Sequence, residues 1–90
     1  MTEDEINSFR EKLSQSMAFP GVYMFKFIIT SEHRNIALVD NLFGPEAELS
    51  TKESTEGKYT SITARQVVMN VDEIIDVYRK AARIKGIMFL

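Results

Sequence analysis

The 90-residue sequence contains no cysteine, and this absence excludes several kinds of chemistry at once. Without cysteine there is no disulfide framework, no thiol nucleophile, no iron–sulfur ligation and almost none of the usual structural zinc arrangements. We therefore expect no metal site and no cofactor.

A surplus of charge is also lacking, since eleven basic and thirteen acidic residues give a formal net charge of −2 and a pI near 5.4. Bulk electrostatics thus offers no attraction to nucleic acid, which would need a local basic patch. No apolar run approaches the ~20 residues that cross a bilayer, and the N-terminus lacks a secretion-signal pattern. We expect a soluble, cytoplasmic, single-domain protein.

The strongest local pattern is Y-M-F-K-F-I-I-T, from Tyr23 to Thr30. A segment so rich in aromatic and β-branched side chains, entered through Pro20-Gly21, predicts a central strand. One predicted face carries Tyr23, Phe25, Phe27 and Ile29, and the other carries Met24, Lys26 and Ile28.

Apolar residues at helical spacing predict three helices with recognisable ends. They are Glu3 to Ser16 after a T-x-x-E capping box, Ser31 to Gly44-Pro45 with Ser31 as N-cap, and Asn70 to Gly86 with Asn70 as N-cap.

Two further segments, Ala47 to Thr55 and Lys58 to Met69, predict a hairpin around Glu56-Gly57. With those two residues as the loop, the predicted pairs include Leu49 with Ala64, Thr51 with Ile62, Glu53 with Thr60, Ser50 with Thr63, and Lys52 with Ser61. Apolar positions change phase near Arg65-Gln66, which predicts a bulge there.

A short strand from Ile87 to Leu90 completes a β-α-β-β-α-β order after the leading helix. This order is typical of the α+β, ferredoxin-like two-layer sandwich, with an antiparallel sheet of order 4-1-3-2 and both crossover helices on one face. We predict an N-terminal helical extension at residues 1–18 and a ferredoxin-like domain at residues 19–90.

Three stretches resemble the YbeD-like family of small uncharacterised bacterial proteins: Phe19-Pro20 leading into Y-M-F-K, S-T-E-G-K-Y-T-S-I-T at Ser54 to Thr63, and the terminal I-M-F-L. The resemblance covers about Phe19 to Leu90. It implies a ferredoxin-like fold, a shape similar to that of ACT regulatory domains, and no established activity. The usual hairpin of that family is approximately S-S-K-G-x-Y, so Thr55 and Glu56 depart from it.

Cations and hydroxyl groups gather on the predicted sheet face opposite the helices. The candidate ligand-binding residues there are Lys26, Lys52, Tyr59, Ser61, Thr63 and Arg65. Such a group can hold a carboxylate or a phosphate, so a small anionic ligand is one hypothesis for this face. The other, which general experience with antiparallel sheets favours, is an ordinary solvated face.

Other chemistry has less support in the sequence. Only Tyr59 offers a ring for base stacking on the long strand, so RNA binding is not favoured. The single histidine, His33, has no partner at catalytic or metal-binding spacing, and no hydroxyl lies beside an activating base. We therefore predict no catalytic residues and no enzymatic activity.

Met24 and Ile28 would expose apolar surface on the side without helices. The leading helix could cover them through Ile6, Phe9 and Leu13, or a second copy could do so in a homodimer.

The favoured hypothesis is a non-enzymatic binding or regulatory module. It would contact a protein partner, a second copy or a small anionic ligand through its sheet face or edge strand. The alternative, implied by the resemblance, is an ACT-like sensor of an amino acid or anion. A third hypothesis is an enzyme that handles phosphorylated substrates through Lys26, Lys52 and Arg65.

Overall fold

The computed structural model describes residues 2–90, which form three helices and four strands. In chain order these are α1 (Glu3–Ser16), β1 (Gly21–Thr30), α2 (His33–Asp40), β2 (Glu48–Glu53), β3 (Tyr59–Val68), α3 (Val71–Ala81) and β4 (Met88–Phe89). Met1, the first residue of the predicted extension, lies outside the described residues.

The four strands form one antiparallel sheet in the order β2-β3-β1-β4, which is the predicted 4-1-3-2 arrangement. β1 pairs with β3 without interruption, from Gly21 opposite Val68 to Thr30 opposite Tyr59. Helices α2 and α3 contribute to a single core on one side of the sheet. The ferredoxin-like α+β sandwich is therefore confirmed.

β1 supplies the centre of the core, because its side chains alternate between the two faces of the sheet. Phe25, Phe27 and Ile29 are fully buried. The rings of Phe25 and Phe27 lie 5.6 and 5.9 Å from the ring of Tyr78 on α3. Since burying a large apolar side chain stabilises the fold by about 1.5–3 kcal/mol, this strand organises the molecule as the sequence predicts.

Helix α1 begins with the predicted capping box. Thr2 Oγ1 accepts a hydrogen bond from the Glu5 backbone N–H at 3.2 Å, and Glu5 Oε1 accepts one from the Thr2 N–H at 3.1 Å. These bonds satisfy backbone donors that the first turn of a helix leaves without partners.

Helix α1 packs on the helical layer, against α3. The Phe9 ring lies 5.4 Å from that of Tyr78, Leu13 is buried in the shared core, and Arg10 pairs with Asp72. The expectation that α1 could cover the opposite side of the sheet is wrong, because its apolar stripe is already occupied by α3.

Helix α2 differs from the prediction at both ends. Its N-cap is Glu32, which makes no capping side-chain bond, while Ser31 Oγ lies 2.8 Å from Thr60 Oγ1 and links the end of β1 to β3. The helix ends at Asp40, before Gly44-Pro45, because the Phe43 N–H donates to the Asp40 carbonyl in a tighter turn at 3.2 Å.

The hairpin has the predicted register, with strand pairs from Glu48 opposite Arg65 to Glu53 opposite Thr60. Its loop is longer than the predicted two residues. The Gly57 N–H donates to the Ser54 carbonyl at 2.8 Å, and Gly57 has a φ of +73°, a conformation that glycine adopts without steric cost.

The bulge predicted near Arg65-Gln66 is wrong, since pairing of β3 with β1 is continuous there. Gln66 lies on the inner side of the sheet, where its Oε1 accepts a hydrogen bond from the Gly44 N–H at 3.0 Å. The apparent change of phase arises because a polar residue occupies an inward position, and Val67 therefore lies on the outer side.

Helix α3 starts at the predicted cap, where Asn70 Oδ1 accepts a hydrogen bond from the Glu73 N–H at 3.1 Å. It ends at Ala81, earlier than the predicted Gly86, and turns lead from there to β4. β4 itself is shorter than predicted.

Candidate binding surface on the open sheet face

The outward side chains of the sheet form one surface, which we call the open face. All three helices contribute to the core on the other side. Residues directly opposite each other on antiparallel strands share a face, so the register assigns the members. They are Val22, Met24, Lys26, Ile28, Thr30, Glu48, Ser50, Lys52, Tyr59, Ser61, Thr63, Arg65, Val67 and Met88.

The six predicted ligand-binding side chains all lie on the open face. Their positions follow from the pairs Lys26 with Thr63, Lys52 with Ser61, Met24 with Arg65, and Thr30 with Tyr59. Strands of a sheet are about 4.8 Å apart, so directly paired side chains are near neighbours. The hydroxyl of Ser61 is already engaged, because it donates to the Lys52 carbonyl at 3.3 Å.

The six side chains are spread over the surface and do not converge on one point. A depression of about 200 Å³ is lined in part by Lys52, Tyr59 and Ser61. Another, of about 230 Å³, is lined in part by Thr63 and Arg65. Ser61 and Arg65 are four residues apart on β3, or about 13 Å at ~3.3 Å per residue, so the two depressions are separate places on the open face.

An apolar patch runs beside the polar side chains. It consists of Val22, Met24 and Ile28 on β1, Val67 on β3 and Met88 on β4, with Lys26 between Met24 and Ile28. Val22, Met24, Val67 and Met88 keep 63%, 43%, 56% and 47% of their surface exposed. The open face therefore exposes several large apolar side chains to solvent.

Only part of the apolar patch was foreseen from the sequence. Met24 and Ile28 were predicted, whereas Val22, Val67 and Met88 were missed. The supposed bulge placed Val67 on the inner side, and strict alternation from Tyr59 onward would have placed it correctly. Met88 faces outward because it pairs with Ile28.

The open face has a local surplus of positive charge. Its outward positions carry three cations, Lys26, Lys52 and Arg65, and one carboxylate, Glu48. The open face therefore has a net charge of +2, whereas the whole chain has a net charge of −2. Among residues 2–90, none of these three cations forms an ion pair. The face therefore combines apolar side chains with cations that a partner could neutralise.

In residues 2–90, every helix is too short or too polar to span a bilayer.

The fold and this surface define the chain as a small ferredoxin-like α+β domain with one uncovered sheet face. A sequence profile of the family described as "Protein of unknown function (DUF493)" matches residues 14–90. The chain belongs to this family, and the resemblance to YbeD-like proteins is confirmed.

Curated relatives support the same assignment. The chain is 31% identical over 80 residues to a UPF0250 protein of Shewanella piezotolerans, 30% identical to one of Shewanella halifaxensis, and 32% identical to one of Shewanella baltica. Each comparison covers 84% of this chain and 91% of the relative. No solved structure matches the chain.

Proposed function

We propose that this chain is a non-enzymatic binding module whose open face docks a protein partner. The partner's surface would carry carboxylates and apolar side chains. The observation that supports the proposal most is the apolar patch beside three cations that form no ion pair within residues 2–90, on a sheet face that α1 leaves uncovered.

Hydrophobic contact would supply most of the affinity. Val22 pairs with Val67 and is followed on the same face by Met24, while Ile28 pairs with Met88 on the far side of Lys26, so the apolar side chains form two groups with a cation between them. Burying apolar surface contributes roughly 25 cal/mol per Å², and unbranched methionine side chains adapt to different partners.

Charge favours an acidic partner over a second copy of the chain. A two-fold dimer through the open face would bring two identical surfaces, each with a charge of +2, against each other. An acidic partner instead gains attraction from Lys26, Lys52 and Arg65, which also guides association. The homodimer stays a prediction, and the experiment below separates it from a different partner.

The arrangement of groups also favours binding over catalysis. Ser61 donates its hydroxyl proton to a backbone carbonyl, and not to a side chain that could act as a base. The single histidine, His33, lies on α2, in the other layer. Lys52 and Arg65 belong to separate depressions, which does not favour a phosphate-handling site built from both.

Two matched variants test the proposal. The open-face triple is Lys26→Gln, Lys52→Gln and Arg65→Gln; the helix-layer triple is Arg34→Gln, Arg83→Gln and Lys85→Gln. Each removes three positive charges and takes the formal net charge from −2 to −5, so nonspecific electrostatics is matched.

The unaltered chain and each variant would be used as bait in a lysate of the native host, and the captured proteins would be identified. Each captured protein would then be purified and titrated against the unaltered chain and both variants. We expect one of them to bind the unaltered chain and the helix-layer triple alike, and the open-face triple about tenfold or more weakly. Met24→Glu should weaken binding similarly. Equal binding by both triples would contradict the proposal. So would a concentration-dependent dimer of the chain itself that Met24→Glu dissociates.

A second candidate function is the ACT-like sensing of a small anion. The two depressions on the open face, about 200 and 230 Å³, favour it, because hydroxyls and one cation line each of them, although each also contains one carboxylate, Glu53 or Glu48. Thermal-shift screening with amino acids and nucleotides tests this candidate. A rise in melting temperature that the open-face triple abolishes would support it, and a flat response would contradict it.

A further inference from the structure

A separate cavity of about 540 Å³, half-open to solvent and lined mostly by exposed side chains, lies on the helical layer, away from the open face. It is formed where the start of α2 meets the turn that follows α3. Its lining residues are Glu32, Arg34, Asn35, Leu38, Arg83, Ile84 and Lys85. The volume lies within the ~300–1,000 Å³ typical of small-molecule sites.

Positive charge predominates in this cavity. Arg34, Arg83 and Lys85 are its cations, and Glu32 is its one carboxylate, so the lining has a surplus of +2. Among residues 2–90, the three cations form no ion pair. The Glu32 carboxylate faces Asn35, whose Nδ2 lies 3.5 Å from Glu32 Oε2.

Helix electrostatics explains only part of this arrangement. Arg83 and Lys85 follow the C-terminal end of α3, where cations are favourable because of the partial negative charge there. Arg34 is in the first turn of α2, where the partial charge is positive and a cation is unfavourable. Three cations from two elements therefore meet at a place where one of them costs stability.

We propose that this cavity binds a small molecule carrying a phosphate group. A phosphate dianion would balance the +2 surplus, and arginine side chains hydrogen-bond phosphate oxygens in pairs. The cavity is far larger than a phosphate ion, and Leu38 and Ile84 offer an apolar wall for the rest of the molecule. The proposal is independent of the open face and of the partner proposed for it.

Inorganic pyrophosphate is a suitable first probe, titrated at constant ionic strength while backbone amide resonances are followed by NMR. We expect saturable shifts at the amides of Arg34, Asn35 and Ile84. The helix-layer triple should weaken binding at least about tenfold, because charge-assisted hydrogen bonds are lost, and the open-face triple should leave it within about twofold. No saturable shift at these amides, or equal weakening by both triples, would overturn the proposal.

Arg34→Gln on its own provides a sharper test. If Arg34 serves ligand binding at the expense of the helix, this variant should unfold at the same urea concentration as the unaltered chain or a higher one. It should also bind pyrophosphate about tenfold more weakly. A variant that is less stable and binds pyrophosphate unchanged would show that Arg34 has a structural role only, and would overturn the proposal.

Discussion

At the scale of single residues, adjacent side chains of β1 meet opposite surroundings. Ile29 is fully buried under the helices, whereas its neighbour Ile28 is half-buried on the open face. Both residues are isoleucine and lie in the same strand. A difference between the effects of mutating them therefore reports only which side of the sheet each one occupies. They form a natural matched pair.

Ile29→Ala should lower the free energy of unfolding by about 2–5 kcal/mol, because it leaves a cavity in a closely packed core. Ile28→Ala should cost about 1 kcal/mol, since solvent and neighbouring side chains can occupy the space. Urea denaturation followed by circular dichroism measures both values. Equal losses would mean that the strand does not have one buried and one open side.

Tyr78 is the residue through which α3 contacts β1 and α1 together. Its hydroxyl lies 3.1 Å from that of Tyr23, and its ring packs near Phe9, Phe25 and Phe27. Burial, followed by the hydrogen bond to Tyr23, raises the pKa of Tyr78 above its ordinary value of 10.

This shift predicts a loss of stability in alkali. Because the pKa is raised in the folded state, the stabilisation is complete below pH 10 and falls as the pH rises beyond it. Tyr78→Phe should be about 1 kcal/mol less stable than the unaltered chain near pH 8, through the lost hydrogen bond. That gap should shrink or reverse by about pH 11, since only the unaltered chain carries the tyrosine. Urea midpoints at the two pH values test this, and a constant gap would contradict it.

At the scale of elements, α1 depends on its first turn. Glu3, Asp4 and Glu5 lie there, where negative charge is favourable. The backbone hydrogen bond from Thr2, and then the Thr2 side chain, lower the pKa of Glu5 from its ordinary 4.5. The capping box therefore favours the ionised carboxylate.

The sign of this shift predicts acid sensitivity of α1. A depressed pKa contributes stability that is present above pH 4.5 and is lost as the pH falls through the lower, folded-state value. Glu5→Gln should thus be less stable than the unaltered chain at neutral pH, and the two should become equal in acid. Glu11→Gln, in the same helix beyond the first turn, is the matched control. A Glu5→Gln gap that persists unchanged in acid would show that charge is not the cause.

The elements also show which features a sequence predicts well. Side chains alternate with a period of two along β1 and β3, and the hairpin fixes their relative position, so the order of the sheet and its register followed from local patterns. The placement of the six candidate ligand-binding residues on the open face was predicted correctly for the same reason.

Two of the wrong predictions, the cap of α2 and the bulge in β3, have a common cause, which is tertiary contact. Serine is a favoured residue type at helix N-caps, but the hydroxyl of Ser31 contacts Thr60 on β3, which is distant in sequence. Gln66 is polar, yet it points inward to a backbone N–H of Gly44. Neither partner is close in sequence, so local pattern could not reveal these contacts.

At the scale of the whole molecule, two surfaces each carry a positive surplus on a chain of net negative charge. The open face was partly predictable because one register determines it. The cavity between α2 and the turn after α3 was not, since it depends on how two elements distant in sequence pack together. The two matched triples change these surfaces separately.

The central claim is that the sheet has one open side in the free protein, and solvent relaxation of methyl NMR signals tests it most directly. A soluble gadolinium chelate should strongly broaden the methyl signals of Met24, Val67 and Met88, while those of Ile29 and Val68 stay sharp. The neighbours Val67 and Val68 give the clearest comparison, because they lie on opposite faces of β3. Protection of Met24, Val67 and Met88 in dilute solution would mean that α1 or a second copy covers the open face, and would contradict the account.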